Sequence, residues 1–268
     1  MSILDAIILG LVEGITEFLP VSSTGHLILT RDLLGLHGDA VDRQLIIIQG
    51  AAILAVCWEF RRKLLGTAFS LHNDPTSRRF VLNLVIAALP LAVLGLLFEK
   101  QIKAVLFKPV PVALALVIGG LIILWAEKRK HSERIQSVDE LGPLDALKLG
   151  AFQALALIPG TSRSGATIIG GLLSGFSRRT AAEFSFFVAI PVLLGATFLD
   201  IWKARAELAT SDVTPLLVSC LVSFGSALAA TKLLLRYVSK HSFAAFAWYR
   251  IVFGGVILVT AWTGLVRW

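Results

Sequence analysis

The run Val213–Leu235 carries one charged residue, Lys232, and the runs Val112–Trp125 and Phe243–Trp262 are similarly apolar. Such runs approach or reach the ~17–25 residues that a helix needs to cross a hydrocarbon core. Several of them in one chain of 268 residues predict a single polytopic, all-α integral membrane domain. Composition agrees, since only 16% of residues are charged against roughly 25% in a typical soluble domain.

The formal net charge is +7, but the basic residues lie in short clusters between apolar runs. That distribution speaks for membrane topology and against nucleic-acid binding, which uses a continuous basic stripe. Cys57 and Cys220 both fall inside apolar segments without metal-site or disulfide spacing, so they read as packing residues. The N-terminus lacks a positive n-region, and Glu13 and Glu17 interrupt its apolar stretch, so the first segment is expected to stay in the mature protein.

An internal repeat organises the chain. Leu9–Ile28 (LGLVEGITEFLPVSSTGHLI) and Leu149–Ile168 (LGAFQALALIPGTSRSGATI) align at an offset of 140, with Gly10 on Gly150, Ser22 on Ser162 and Gly25 on Gly165. In each copy an apolar run ends at a proline, Pro20 or Pro159, turns through Ser, Thr and Gly, and resumes as a second short run. Neither part is long enough to span, so each copy is expected to form a re-entrant helical hairpin. Three fuller spans follow each hairpin, at about 43–60, 80–98 and 110–127, then about 180–202, 213–235 and 243–265. The expected architecture is therefore a helical bundle with an inverted-topology repeat, two hairpins plus six spans. Residues 1–127 form the first repeat, 128–143 a cytoplasmic linker, and 144–268 the second repeat.

Orientation follows from Lys and Arg in short loops. The 61–79 loop holds Arg61, Arg62, Lys63, Arg78 and Arg79, and the 128–143 loop holds Lys128, Arg129, Lys130 and Arg134; both are expected on the cytoplasmic side. An odd number of spans per half inverts the second copy, so the hairpin tips should meet near the bilayer midplane. Trp58, Trp125, Trp202 and Trp262 sit near the expected span ends, where amphipathic rings favour the interface.

Chemistry concentrates at the tips. Glu13 and Glu17 stand four apart, so on a helix their carboxylates converge on one cation or proton. An acidic residue at mid-membrane costs about 2.5–3.5 kcal/mol even on mild insertion scales, so the pair needs a polar partner unless it is a solvated helix end. Ser22, Ser23, Thr24 and His26 follow, offering hydroxyls, backbone N–H groups and an acid/base imidazole beyond what helix capping requires. The second tip offers Ser162, Arg163, Ser164 and Thr167. A guanidinium fork and hydroxyls suit phosphate oxygens, although Arg163 could equally neutralise the glutamates at rest. Glu17 aligns with Leu157 and Arg163 with Ser23, so one tip has become acidic and the other basic. Glu183, Asp200, Lys232 and Arg250 are weaker candidates, read as snorkelling or interhelical pairs. Arg250 could brace a hairpin, with no partner identified.

The segments EGITEFLPVSSTGH and PGTSRSGAT resemble the two signature motifs of the bacterial undecaprenyl-diphosphate phosphatase family, the bacitracin-resistance type. Resemblance extends through SGFSRRTAAEFSFFVAIPVLLGAT and FAWYRIVFGG. It implies an inner-membrane enzyme, dependent on a divalent cation such as Mg²⁺ or Ca²⁺, that converts undecaprenyl diphosphate to the monophosphate and recycles the lipid carrier for cell-wall synthesis. It carries the family's acidic pair onto Glu13 and Glu17, as metal ligands, and its catalytic set onto Glu17, Ser23, His26 and Arg163. Ser22, Thr24, Ser162, Ser164 and Thr167 become substrate contacts. Ser23 is the first choice of nucleophile, with His26 and an activated water as variants. The expected partners are a polyisoprenyl diphosphate and the membrane, with a homodimer left open and no nucleic acid. The rival expectation is a lipid-phosphate flippase or secondary transporter, because paired broken hairpins are common in transporters.

Overall fold

A computed structural model describes residues 1–129, 133–208 and 213–264. The helices are α1 (Ile3–Thr16), α2 (Ser23–Leu33), α3 (Asp39–Glu59), α4 (Arg61–Ser70), α5 (Pro75–Leu106) and α6 (Pro109–Lys128), followed by α7 (Pro143–Ala154), α8 (Arg163–Leu173), α9 (Arg178–Leu208), α10 (Val213–Val238) and α11 (Ala244–Thr263). Among the described residues the only β-pairing is an isolated bridge between Ile135 and Phe176. Helices α3, α5, α6, α9, α10 and α11 are each long and apolar enough to cross a membrane. Their outward faces are apolar, as at Leu96, Leu221 and Val252. This is a multi-pass helical membrane protein.

Close backbone approach holds the bundle together. Helix α1 lies on α10, α7 on α5, α6 on α11, and α3 on α9 and α10. Lipid tails are as apolar as leucine, so helix association in a bilayer relies on small residues that let backbones touch. A Cβ on Gly10 would sit 2.6 Å from the Ser219 carbonyl oxygen of α10, and one on Gly150 2.7 Å from that of Ala87 on α5. Where larger side chains meet, aromatic rings interlock. Phe18 meets Phe186 edge-on at 5.7 Å, and Phe80 meets Phe187 at 5.1 Å, pairs worth about 0.5–1.5 kcal/mol each beyond the area they bury.

The first long loop differs from its expected form. Residues Arg61–Ser70 are helical, and α5 begins at Pro75 rather than near 80. Local chemistry explains the early start, for Asp74 caps the helix by accepting from the Thr76 and Ser77 backbone N–H groups at 3.0 Å each. Pro75 follows at the first helical position, where its missing N–H is harmless. Lys63 Nζ reaches Asp139 Oδ1 at 2.5 Å and Arg79 Nη2 donates to the Asp139 carbonyl at 2.6 Å. The two basic loops therefore sit at the same end of the bundle. Lys130 and the last residue of the expected 243–265 span lie outside the described residues.

Trp58, Trp125 and Trp202 are exposed at helix ends. Each lies beneath an arginine, with Arg61, Arg129 and Arg205 between 4.7 and 4.9 Å from the ring centroids. That pairing suits an interfacial belt, where an aromatic body meets a wet charge. Of the weaker candidates, Lys232 finds the interhelical pair expected of it, whereas Glu183 pairs within its own helix. Glu183 pairs with Arg179 at 2.8 Å and Lys232 with Glu59 at 3.4 Å.

Candidate active site

Two turns built alike face one cavity. Helix α1 ends at Thr16 and α2 restarts at Ser23; helix α7 ends at Ala154, passes through a 3-10 turn at Leu155–Leu157, and gives way to α8 at Arg163. The residues before the restarts, Ser22 (φ 72°) and Ser162 (φ 70°), are the non-glycine residues with positive φ among those described. They stand at the repeat's offset of 140. A serine held in that region costs on the order of 1–3 kcal/mol and persists only where its surroundings fix it. The surroundings do so at both tips. His26 Nδ1 meets the Ser22 carbonyl at 2.7 Å, and Ser162 Oγ accepts the Gly165 backbone N–H at 3.1 Å.

This sharp reversal turns the first residues of α2 and α8 toward a shared cavity of about 170 Å³. Its polar wall is Glu17, Ser22, Ser23, Thr24 and Gln49 from one side and Ser162 and Arg163 from the other. Leu91, Ile158, Val192 and Leu193 form an apolar wall. N–H groups in the first turn of a helix have no intrahelical acceptor, so two helix starts on one cavity suit an anion.

Charge in the cavity is arranged as a relay. Ser23 Oγ donates to Glu17 Oε2 at 2.5 Å. Gln49 Nε2 approaches the same oxygen at 3.4 Å. The other oxygen, Oε1, takes Arg163 Nη2 at 3.3 Å, and Arg163 Nη1 donates to the Ser185 carbonyl at 3.0 Å. The remaining donor, Arg163 Nε, is buried without a hydrogen-bond partner. One turn back, Glu13 is fully buried and neither of its carboxylate oxygens meets a protein donor.

Other hydroxyls and the histidine stand behind the cavity wall. Ser164 Oγ donates to the Leu19 carbonyl across the tips at 2.8 Å, and Thr167 Oγ1 donates to the Arg163 carbonyl at 2.9 Å. Because a carbonyl only accepts, His26 carries its proton on Nδ1, toward Ser22. Its Nε2 is engaged by the Tyr249 hydroxyl at 2.6 Å, and Phe253 stacks on the ring at 4.0 Å. Neither ring nitrogen is turned to Ser23.

Gln49, Tyr249 and Arg250 are neighbours of the candidate site that sequence reasoning passed over or set aside. A polar amide within the apolar stretch of α3 was a signal available for Gln49. For Tyr249 and Arg250 the signal was a phenol and a cation side by side inside α11.

A family model described as bacitracin resistance protein BacA matches residues 6–256 of the chain. The chain belongs to the BacA family. Among curated BacA-like relatives, a Rhodospirillum rubrum protein named undecaprenyl-diphosphatase 2 is 58% identical, over 99% of this chain and 97% of its own. Undecaprenyl-diphosphatases of Dechloromonas aromatica and Nitrosospira multiformis are 56% and 55% identical, each also covering 99% of this chain and 97% of its own. The cavity, both tips and the buried carboxylates all fall within the segment that matches BacA.

A divalent cation, which a BacA phosphatase would be expected to use, can be tested against the donors present. Among the described residues no cluster of three or more His, Cys, Asp and Glu exists. What exists is an oxygen donor set, the unmet carboxylate of Glu13 beside Glu17. Mg²⁺ and Ca²⁺ prefer such ligands, and Mg²⁺ commonly binds through one or two carboxylates plus water and substrate phosphate. The residues fit.

Proposed function

We propose that this chain hydrolyses undecaprenyl diphosphate to undecaprenyl phosphate and inorganic phosphate in the bacterial inner membrane. The observation that carries the reading is the Ser23–Glu17–Arg163 arrangement, a hydroxyl on a carboxylate that faces a guanidinium, inside a cavity with an apolar wall. The apolar wall suits the isoprenyl chain next to a diphosphate, and the two helix starts suit its charge.

In this mechanism the terminal phosphoryl group lies against Arg163 and the hydroxyls of Thr24 and Ser162. Ser23 Oγ attacks the terminal phosphorus as its proton passes to Glu17. The bond from that phosphorus to the bridging oxygen breaks, and its electron pair leaves with undecaprenyl phosphate. Water then attacks the phosphoserine, the bond from phosphorus to Ser23 Oγ breaks as Glu17 returns its proton to that oxygen, and the water's own protons leave with the inorganic phosphate. Arg163 turns from Glu17 to the transferring oxygens, where a fixed donor stabilises developing charge. With both ring nitrogens engaged, His26 supports the strained backbone at Ser22 and is neither nucleophile nor base.

Glu13 and Glu17 would hold the divalent cation, which when bound supplies neutralising charge to the diphosphate oxygens.

The same reading includes the inverted repeat. Helices α2 and α8 begin and end 140 residues apart, the two strained serines do likewise, and α1 packs on α10 as α7 packs on α5. Such cross-packing is what two re-entrant hairpins related by a two-fold axis in the membrane plane require. Residues 1–127 and 144–268 are then the repeats, joined by a cytoplasmic linker. The contact of Lys63 and Arg79 with Asp139 supports one side for both basic loops.

Phosphate release from undecaprenyl diphosphate by the purified protein, in detergent with Mg²⁺, Ca²⁺ or EDTA, tests the proposal. Release that EDTA abolishes is expected. Folded protein that releases no phosphate under any of these conditions would overturn it.

A further inference from the structure

Arg250 is fully buried in α11, yet none of its hydrogen-bond partners is a carboxylate. Its guanidinium is spent on backbone carbonyls. Nη1 donates to Pro20 at 3.2 Å, and Nη2 to Gly160 at 3.0 Å and Ala115 at 3.2 Å, while Nε donates to Leu116 at 3.3 Å. Pro20 belongs to the first tip, Gly160 to the second, and Ala115 and Leu116 to α6. One side chain therefore ties three separate segments of backbone.

Space for that fork is reserved by glycine. A Cβ on Gly119 would lie 2.1 Å from Nη2, and one on Gly165 would lie 2.9 Å from Nη1. A buried cation is expensive to keep without a counter-charge, so its retention here calls for a role. Among the described residues the other hydrogen bonds between the tips come from side chains, Arg163 to Glu17 and Ser164 to the Leu19 carbonyl. The first must open when Arg163 turns to substrate. The Arg250 bonds are to backbone carbonyls and involve neither Arg163 nor the hydroxyls proposed to meet the phosphate.

We infer that Arg250 is a positioning residue, a clasp that holds the two tips in register while the Arg163–Glu17 pair opens and closes during turnover. The inference rests on the proposed phosphatase reading for its catalytic consequence, and on the geometry alone for its mechanical one. A planar fork reaches carbonyls on several segments at once, whereas an ammonium is a single point. Lysine at this position keeps the charge and loses the span.

The test compares wild type, Arg250→Lys and Gly119→Ala, the last of which leaves Arg250 present but crowds its Nη2. Two readouts are taken on folded protein, steady-state phosphate release and hydrogen exchange of the tip segments, residues 17–22 and 158–162. Arg250→Lys is expected to speed exchange in both segments together, by at least about tenfold, with no matching change elsewhere. It should lower kcat by at least about tenfold while KM stays within about threefold, since alignment in the transition state is lost and the binding groups remain. Gly119→Ala should move both readouts in the same direction. Wild-type exchange at either tip in Arg250→Lys would overturn the clasp, as would wild-type kcat in that variant, because charge alone would then suffice. A wild-type protein that releases no phosphate, with the tips loosened as expected, would sink the phosphatase reading and leave the clasp standing.

Discussion

Ser23 Oγ lies 2.5 Å from Glu17 Oε2, six residues back along the chain and across the turn that separates α1 from α2. The two residues meet because Ser22 adopts φ 72°, which reverses the chain sharply enough to bring the start of α2 against the end of α1. The proposed nucleophile and base are thus products of one strained turn. Ser23→Ala should lower kcat by roughly 10²–10⁴-fold, the usual worth of a positioned proton acceptor acting on its nucleophile. Rapid-quench experiments with labelled diphosphate should trap phosphate on Ser23. Label on His26, or wild-type turnover in Ser23→Ala, would rule out this assignment.

Arg163 faces the Glu17 carboxylate, and in the proposed mechanism it turns to the phosphoryl group. Arg163→Lys keeps one charge but loses the fork that spans Glu17 and the Ser185 carbonyl. Its kcat is expected to fall about 10²–10³-fold, in line with removal of one oxyanion donor. Initial-rate measurements with saturating substrate check this, and a change confined to KM would speak against it.

Glu13 is a buried carboxylate without a protein donor. If it and Glu17 hold the cation, Glu13→Gln should raise the concentration of Mg²⁺ needed for half-maximal activity by roughly 10–100-fold, the range seen when support for a metal site is removed. Titration of activity with Mg²⁺ after EDTA treatment measures the effect. An unchanged midpoint would assign Glu13 another role.

Stability should be most sensitive where helices touch through glycine. A Cβ on Gly14 would lie 2.1 Å from Ser226 Oγ and 2.4 Å from the Ser223 carbonyl of α10. Gly14→Ala is therefore expected to destabilise the protein by about 1–3 kcal/mol, the usual cost of overpacking. Thermal unfolding in detergent reads it directly. Gly225→Ala, which meets open space, should leave the midpoint in place and serves as the control.

Much of this was legible in the chain. Long apolar runs gave the six spans to within a few residues, because burial in lipid demands length and little else. The helix restarts at Ser23 and Arg163 were visible as aligned Ser-rich turns after Pro20 and Pro159. The α4 helix was missed because charge counting treats a basic loop as structureless and no side-chain cap marks its start, whereas the early start of α5 had a local signal in the Asp74 cap and Pro75. The neighbours Gln49, Tyr249 and Arg250 come from other helices, and nothing in linear spacing tells which face of α3 or α11 turns toward a tip. His26 illustrates the same limit. Its type suggested proton transfer, but its hydrogen bonds to Ser22 and Tyr249 depend on tertiary packing.

In the proposed mechanism both tips build one site. Single-turnover phosphate release from undecaprenyl diphosphate should be measured for wild type, Glu17→Ala, Arg163→Ala and the double variant, with Mg²⁺ present. Each single variant is expected to lose at least about 10²-fold, and the double variant to be little worse than either, because groups that act as a unit are not additive. Losses that simply multiply, or a wild-type rate in either single variant, would mean that the two tips do not act as one site.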